Sequence, residues 1–395
     1  RYLPHHPDQP ILTMAREPSL MIVAGEVSGD MHAARLVSAI RARHPEITFF
    51  GVGGDAMRAA GVDTVIDISA MAVIGISEVI RKYRHLRRVF YDMLALLRSR
   101  RPDAVILVDY PGFNLRFARR AHLMGFKTIY YICPQVWAWN RRRIPRMAAT
   151  LDRLIAFFPF EPAYFKETGL QVDFVGNPLV DEVADARARP HPTLSWQGTP
   201  RIALLPGSRD HEIERILPSM WAAAAHIEAR HPEASFMIPV HSETAAALVE
   251  SVVATQPAGP TRYTVVIGQT HAVLADARAT LITSGTATLE ASLLRCPMVI
   301  TYRTTAITAF LARILIKLTH IGLVNIVAGK GVVPELLQRA ATPRNLADAL
   351  EPVISDDAAH AATVQALDDV NRRLGAPGGA DRAAAAVLDA ISVSP

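Results

Sequence analysis

Two cysteines in 395 residues, Cys133 and Cys296, are too few and too far apart for a disulfide scaffold or a CxxC zinc site. That usage fits a reducing cytosol. Long apolar runs are missing too: no stretch free of Asp, Glu, Lys and Arg exceeds the 13 residues of 128–140 or 263–275. A spanning helix needs ~20, so the mean hydropathy of +0.18 reflects a large core and not a membrane span. Charged residues at 20% beside hydrophobic residues at 50% exclude a disordered chain. Several site signatures are absent. There is no GxxxxGK[ST], the HExxH begun by His211 and Glu212 ends in Arg215, and Ser28 is not central to a GxSxG. Gly51, Gly53 and Ala56 fit GxGxxG/A, but Gly61 ends the next helix too soon for a dinucleotide site, so the segment reads as a turn. A DxD is also missing, so any diphosphate bound here without it has to be neutralised by arginine and helix ends.

Acidic residues are scarce in one place. From Arg81 to Arg101 eight Lys/Arg face Asp92 alone, an excess of +7 in a chain whose net charge is +5. Such a run is either a solvated helix face or a surface for phosphate, anionic lipid or nucleic acid. Residues 1–19 carry Pro4, Pro7, Pro10 and Pro18 without an apolar h-region, and read as a disordered leader rather than a signal peptide.

The remainder alternates apolar β-rich runs with helix-period segments, the βαβ pattern of parallel sheets covered by helices. Strands are expected at Leu20–Ala24, Ile47–Phe50, Ala104–Val108, Thr128–Ile132, Leu154–Phe158 and Val172–Val175. A second series follows at Ile202–Leu205, Ser235–Pro239, Tyr263–Ile267, Ala279–Thr283 and Met298–Tyr302. Between them the proline-interrupted stretch Pro178–Pro200 reads as a linker. The fold class is therefore α/β, with two doubly wound Rossmann-like domains facing a cleft. Their expected bounds are 20–180 and 201–360, with C-terminal helices at 361–395 packing back on the first.

In such sheets ligands sit beyond the carboxyl ends of the strands. Four loops there stand out: Gly25–Asp30, Asp109–Asn114, Pro206–Arg209 and Ser284–Thr286. The first, third and fourth put Gly and Ser/Thr at a helix N-terminus, which suits either an anion or plain capping. Arg209 adds a phosphate donor to the third, and two such loops in the second half suggest a diphosphate. Asp109 reads as a cap of its turn or as a general base. Amphipathic faces occur at Thr304–Thr319 and at Met71–Ile80, the latter directly before the basic run, and fit core packing or a membrane surface.

Together these stretches resemble the lipid-A-disaccharide synthases, GT-B-type glycosyltransferases. The matching segments are AGEVSGD at Ala24–Asp30, VDYPGFN at Val108–Asn114, PQVWAW at Pro134–Trp139, FPFE at Phe158–Glu161, GNPLVD at Gly176–Asp181, LPGSR at Leu205–Arg209, SGTATLE at Ser284–Glu290 and NIVAG at Asn325–Gly329. They follow the family order across nearly all of the chain after Ser19. The resemblance implies condensation of UDP-2,3-diacylglucosamine with 2,3-diacylglucosamine 1-phosphate, by inversion, to UDP and a β-1,6-linked disaccharide. It implies Asp109 as the base, and Ser208, Arg209, Ser284, Gly285, Thr286 and Asn325 near the UDP diphosphate. Glu290 would take the ribose hydroxyls, while Glu26, Ser28, Gly29, Asp30 and Asn114 would line the acceptor side. Trp137 and Trp139 read as core. No cofactor, metal or nucleic acid is implied. The implied partners are the two lipid substrates and the inner face of the inner membrane, contacted peripherally from the cytoplasm, with a homo-oligomer left open.

Other classes compete. A nucleic-acid binder could use the basic run, but Tyr83, Phe90 and Tyr91 sit at helical core spacing and offer no stacking platform. A lipid carrier would not need Arg209 and two glycine-serine loops. A UDP-sugar epimerase, or a transferase with another acceptor, shares the fold and is the alternative within the enzyme class.

Overall fold

The computed structural model describes residues 17–71, 79–189, 193–305 and 319–392. Seven parallel strands build the first sheet: β1 (Ser19–Ala24), β2 (Thr48–Gly53), β3 (Asp63–Asp67), β4 (Ala104–Val108), β5 (Lys127–Tyr131), β6 (Arg153–Ala156) and β7 (Gln171–Phe174), in the order β3-β2-β1-β4-β5-β6-β7. Six form the second: β8 (Arg201–Leu205), β9 (Ser235–Val240), β10 (Tyr263–Ile267), β11 (Ala279–Thr283), β12 (Met298–Tyr302) and β13 (Glu335–Leu337), in the order β10-β9-β8-β11-β12-β13. Central strands such as β1 and β4 are unbroken apolar runs because helices cover both faces of a parallel sheet. Both orders are doubly wound. The direction of winding reverses between β1 and β4 in one sheet and between β8 and β11 in the other, and ligands favour such switch points.

One compact unit takes in the chain up to Pro134, then Met147–Ile155 and everything from Ala380; the other comprises Gln135–Arg146 and Ala156–Gly379. The final helix, Gly379–Ala390, is tied into the first unit by Arg153 on Asp389 and by Lys127 on the carbonyl of Ala390.

Several expectations need correction. The first half of the supposed linker is the helix Pro178–Ala188, started by Asn177, whose Oδ1 accepts from the Leu179 amide at 3.1 Å. A proline at its first position is compatible with a helix, so proline there did not mark a loop. Gly51 and Gly53 lie within β2 and not in a turn. Gly51 has φ +149°, and a Cβ on it would stand 2.0 Å from the Ile22 carbonyl oxygen, so glycine lets β2 close onto β1. The edge strands β3 and β13 escaped the pattern because each is short and carries acidic residues. The amphipathic face at 304–319 falls almost wholly outside the described residues, as does most of 71–80, of which Met71 is fully buried.

Candidate active site

At the switch point of the first sheet, β4 ends in two consecutive left-handed residues, Asp109 at φ 45° and Tyr110 at φ 47°. Such a conformation costs on the order of 1–3 kcal/mol per residue and persists only where the surroundings dictate it. Here they do. The Asp109 amide donates to the Tyr131 carbonyl (2.9 Å), and its carbonyl accepts from the Tyr130 hydroxyl (2.5 Å) and Asn114 Nδ2 (2.9 Å). The Tyr110 hydroxyl donates to the Met71 carbonyl (3.2 Å), and its ring packs on Gly25, where a Cβ would come within 2.5 Å of the ring. Burial first, and the negative charge of Glu26 second, hold the Asp109 carboxyl above the usual carboxylate range. A carboxylate strained into position and raised in basicity is equipped to take a proton.

The neighbouring residues divide. Glu26 is exposed as the N-cap of the helix Val27–Arg43 without using its side chain as a cap, and Ser28 is exposed in that helix's first turn. Gly29 packs against Ala24 and Val108. Asp30 departs from its expected place on the acceptor side. It is 3% exposed, and its carboxylate accepts from the amides of Gly54 (2.6 Å), Ala56 (3.0 Å) and Met57 (3.3 Å). It thereby caps the start of the short helix Asp55–Ala59. Asn114 is likewise a brace: it is fully buried, and its Nδ2 joins the carbonyls of Val108 and Asp109 at the end of β4. The loop 25–30 is no anion loop either, since Glu26 beside Asp109 makes its field negative.

The switch point of the second sheet opens a cavity of about 340 Å³, and Ser208, Arg209, Ser284, Gly285, Thr286 and Glu290 all line it. That volume is in the range of small-ligand sites, ~300–1,000 Å³. Gly207, at φ +124°, lets the loop fold over Glu212; a Cβ there would sit 2.5 Å from Glu212 Oε2. Glu212 accepts from the amides of Ser208 (3.2 Å) and Arg209 (3.4 Å) and pairs with the Arg209 guanidinium at 3.0 Å. The backbone amides expected to greet a phosphate are thus already engaged. What the loop presents is the exposed guanidinium of Arg209.

Opposite, Ser284 donates its amide to the Thr301 carbonyl (3.1 Å) and its hydroxyl to the Ile321 carbonyl (3.0 Å), while Gly285 borders open space. Glu290 does not stand alone for a ribose: its Oε2 lies 2.9 Å from His271 Nε2, and that hydrogen bond is the main cause raising the His271 pKa. Asn325 is the clearest departure. It is fully buried, with Nδ2 donating to the Val333 carbonyl (2.9 Å) and Glu335 Oε1 (2.7 Å), and Oδ1 accepting from the amides of Val332 (2.8 Å) and Val333 (3.1 Å). Every polar position of that amide is spent on the fold.

A profile of the family described as lipid-A-disaccharide synthetase matches residues 20–386. A lipid-A-disaccharide synthase of Syntrophus aciditrophicus (strain SB) is 39% identical over 379 residues, covering 95% of this chain and 98% of the relative. The chain belongs to the lipid-A-disaccharide synthase family. The fold alone would not have separated this family from others. The glycotransferase of kitacinnamycin aligns with TM-score 0.65 at 17% identity, covering 95% of this chain and 100% of the other. A UDP-GlcNAc 2-epimerase from Neisseria meningitidis, bound to UDP-GlcNAc, aligns at 0.58 and 12%, with the same coverage.

In this member of the lipid-A-disaccharide synthase family the cavity also holds residues that the sequence reading passed over. His241 follows β9 at the carboxyl edge of the sheet, and Thr283 ends β11. The Thr283 hydroxyl is buried without a hydrogen-bond partner. The strand-end rule that found the other loops would have found both, but neither loop was chosen on these residues. Trp137 is core, bonded through Nε1 to Glu161 Oε1 at 3.0 Å, whereas Trp139 is 50% exposed beneath the Arg143 guanidinium.

Proposed function

We propose that this protein condenses UDP-2,3-diacylglucosamine with 2,3-diacylglucosamine 1-phosphate, releasing UDP and forming the β-1,6-linked disaccharide 1-phosphate with inversion at the donor C1. The observation that carries the reading is the convergence of LPGSR and SGTATLE residues on one cavity, in a chain matched by the family over residues 20–386. In this reading Arg209 and the hydroxyls of Ser208 and Thr286 hold the UDP diphosphate, with Thr283 Oγ a buried group left for the ligand to satisfy. Glu290, steadied by His271, accepts from the ribose hydroxyls. The Asp109 carboxylate takes the proton of the acceptor 6-hydroxyl; the O6–C1 bond forms as the bond from C1 to the diphosphate oxygen breaks, and the electron pair leaves with UDP.

Among the described residues no helix is long and apolar enough to cross a membrane. The acylated substrates place the enzyme on the cytoplasmic face of the inner membrane, held peripherally by the basic helix Val79–Arg100, where Arg84, Arg87 and Arg88 are exposed. Incubation with the two diacylated substrates tests the reaction: equimolar UDP and disaccharide are expected, and a UDP-sugar epimer or free sugar in their place overturns it. Co-sedimentation with anionic vesicles, weakened by salt, tests the location.

A further inference from the structure

The first unit contains a second cavity, of about 580 Å³, that the donor site and the base do not use. Its floor is aromatic. Phe90 of the helix Val79–Arg100 meets Phe113 and Phe117 of the helix Pro111–Leu123 edge-on, at 5.5 and 5.7 Å between ring centres. Its rim is cationic, formed by Arg87, Arg116, Arg119 and Arg120. The last three are spaced i, i+3, i+4, so they share one helix face and repel one another. Among the described residues none of these four guanidiniums has a carboxylate partner. Arg87 lies over the ring of Tyr91, which is 55% exposed. A solvated basic face needs no aromatic floor, and a buried aromatic cluster needs no ring of uncompensated arginine. An anion attached to an apolar body satisfies both at once.

We propose that this groove binds the acceptor, its phosphate on the arginine rim and an acyl chain against the Phe90–Phe113 floor. The inference rests on the acceptor named under the proposed function and adds where it sits. Tyr110 and Gly112 border the groove and follow directly on Asp109, so a sugar held at that border lies beside the base. The entrance is open at Gly112, where a Cβ would touch nothing within 4 Å.

The test uses a short-acyl 2,3-diacylglucosamine 1-phosphate, soluble as monomer, and the same molecule without its phosphate, with binding followed by calorimetry on the full-length protein. The triple variant R116A/R119A/R120A is expected to weaken the phosphorylated probe about 10- to 100-fold, the loss for one or two charged hydrogen bonds, while affinity for the dephosphorylated probe and for UDP stays at the wild-type value. These side chains are exposed, so the fold is retained. The variant Gly112→Phe, which adds a ring at the border of the groove where a Cβ meets nothing, should weaken both probes. Unchanged binding of the phosphorylated probe overturns the proposal. So does a triple variant that loses only its attachment to anionic vesicles, since the arginines would then face a bilayer. Wild-type protein that binds the probe through these arginines but forms no disaccharide leaves the groove standing and refutes the reaction. Normal turnover with a normal acceptor KM in the triple variant does the reverse.

Discussion

Glu212 Oε1 lies 3.0 Å from an Arg209 guanidinium nitrogen, while Oε2 of the same carboxylate accepts from the Ser208 amide. The pairing holds the arginine in place and occupies the loop amides, so that in the proposed reading Arg209 is the one cation of this loop offered to the diphosphate. Arg209→Ala is therefore expected to weaken UDP by about 1.5–3 kcal/mol, the range of a charged hydrogen bond. Titration in excess EDTA checks it and also examines metal dependence. Binding abolished by the chelator would refute neutralisation by arginine.

Asp109→Asn keeps the shape and the left-handed backbone but loses the basicity. The expected outcome is a fall in kcat of about 10²- to 10⁴-fold, the usual contribution of a general base, with UDP affinity unchanged. Its raised pKa carries a sign for stability as well. An acid whose folded pKa exceeds its unfolded value contributes stability below the unfolded value and loses it as pH rises through the folded pKa. At neutral pH the variant should thus melt slightly higher than the wild type while turning over far more slowly.

Glu26 is the second cause of that shift after burial. Replacing it with Gln removes a negative charge, so the acidic limb of the kcat/KM profile should move to lower pH without reaching that of an exposed aspartate. An unmoved limb would mean that Asp109 does not set it.

His271 is raised by its bond to Glu290 first, with Glu182 adding to the same direction. The stability this pair supplies is fully present below the ordinary histidine value of about 6.5 and is lost as pH rises through the raised value. Melting temperature measured across that window should slope downward in the wild type and lie flatter in His271→Gln.

Asn325→Ala takes the side-chain partner from the Val333 carbonyl and from the amides of Val332 and Val333 in the interior, while Glu335 keeps the amides of Ile321 and Gly322. Each orphan costs ~1–3 kcal/mol, so the loss should exceed about 3 kcal/mol in chemical unfolding. Residual folded enzyme should bind UDP normally; a stable variant with a selective defect in UDP binding would return Asn325 to the ligand.

The sequence by itself determined the alternation of strand and helix, most of the strands, and the four loops at their carboxyl ends. Continuous apolar runs such as Ala104–Val108, bounded by Asp109 and Pro111, are legible because a strand buried on both faces has no polar alternation to obscure it. Strand order is not legible, because residues 80 apart carry no local signal of pairing. Only the tertiary structure put β1 beside β4 and β8 beside β11, making switch points of loops that were merely suggestive. It also decided which polar residues were spent on the fold. Asp30 and Asn325 have the chemistry of site residues, and each is consumed by groups outside its own turn, since a buried polar atom must find its partners inside the protein; Asn114 spends Nδ2 on the end of β4, while its buried Oδ1 is left without a partner.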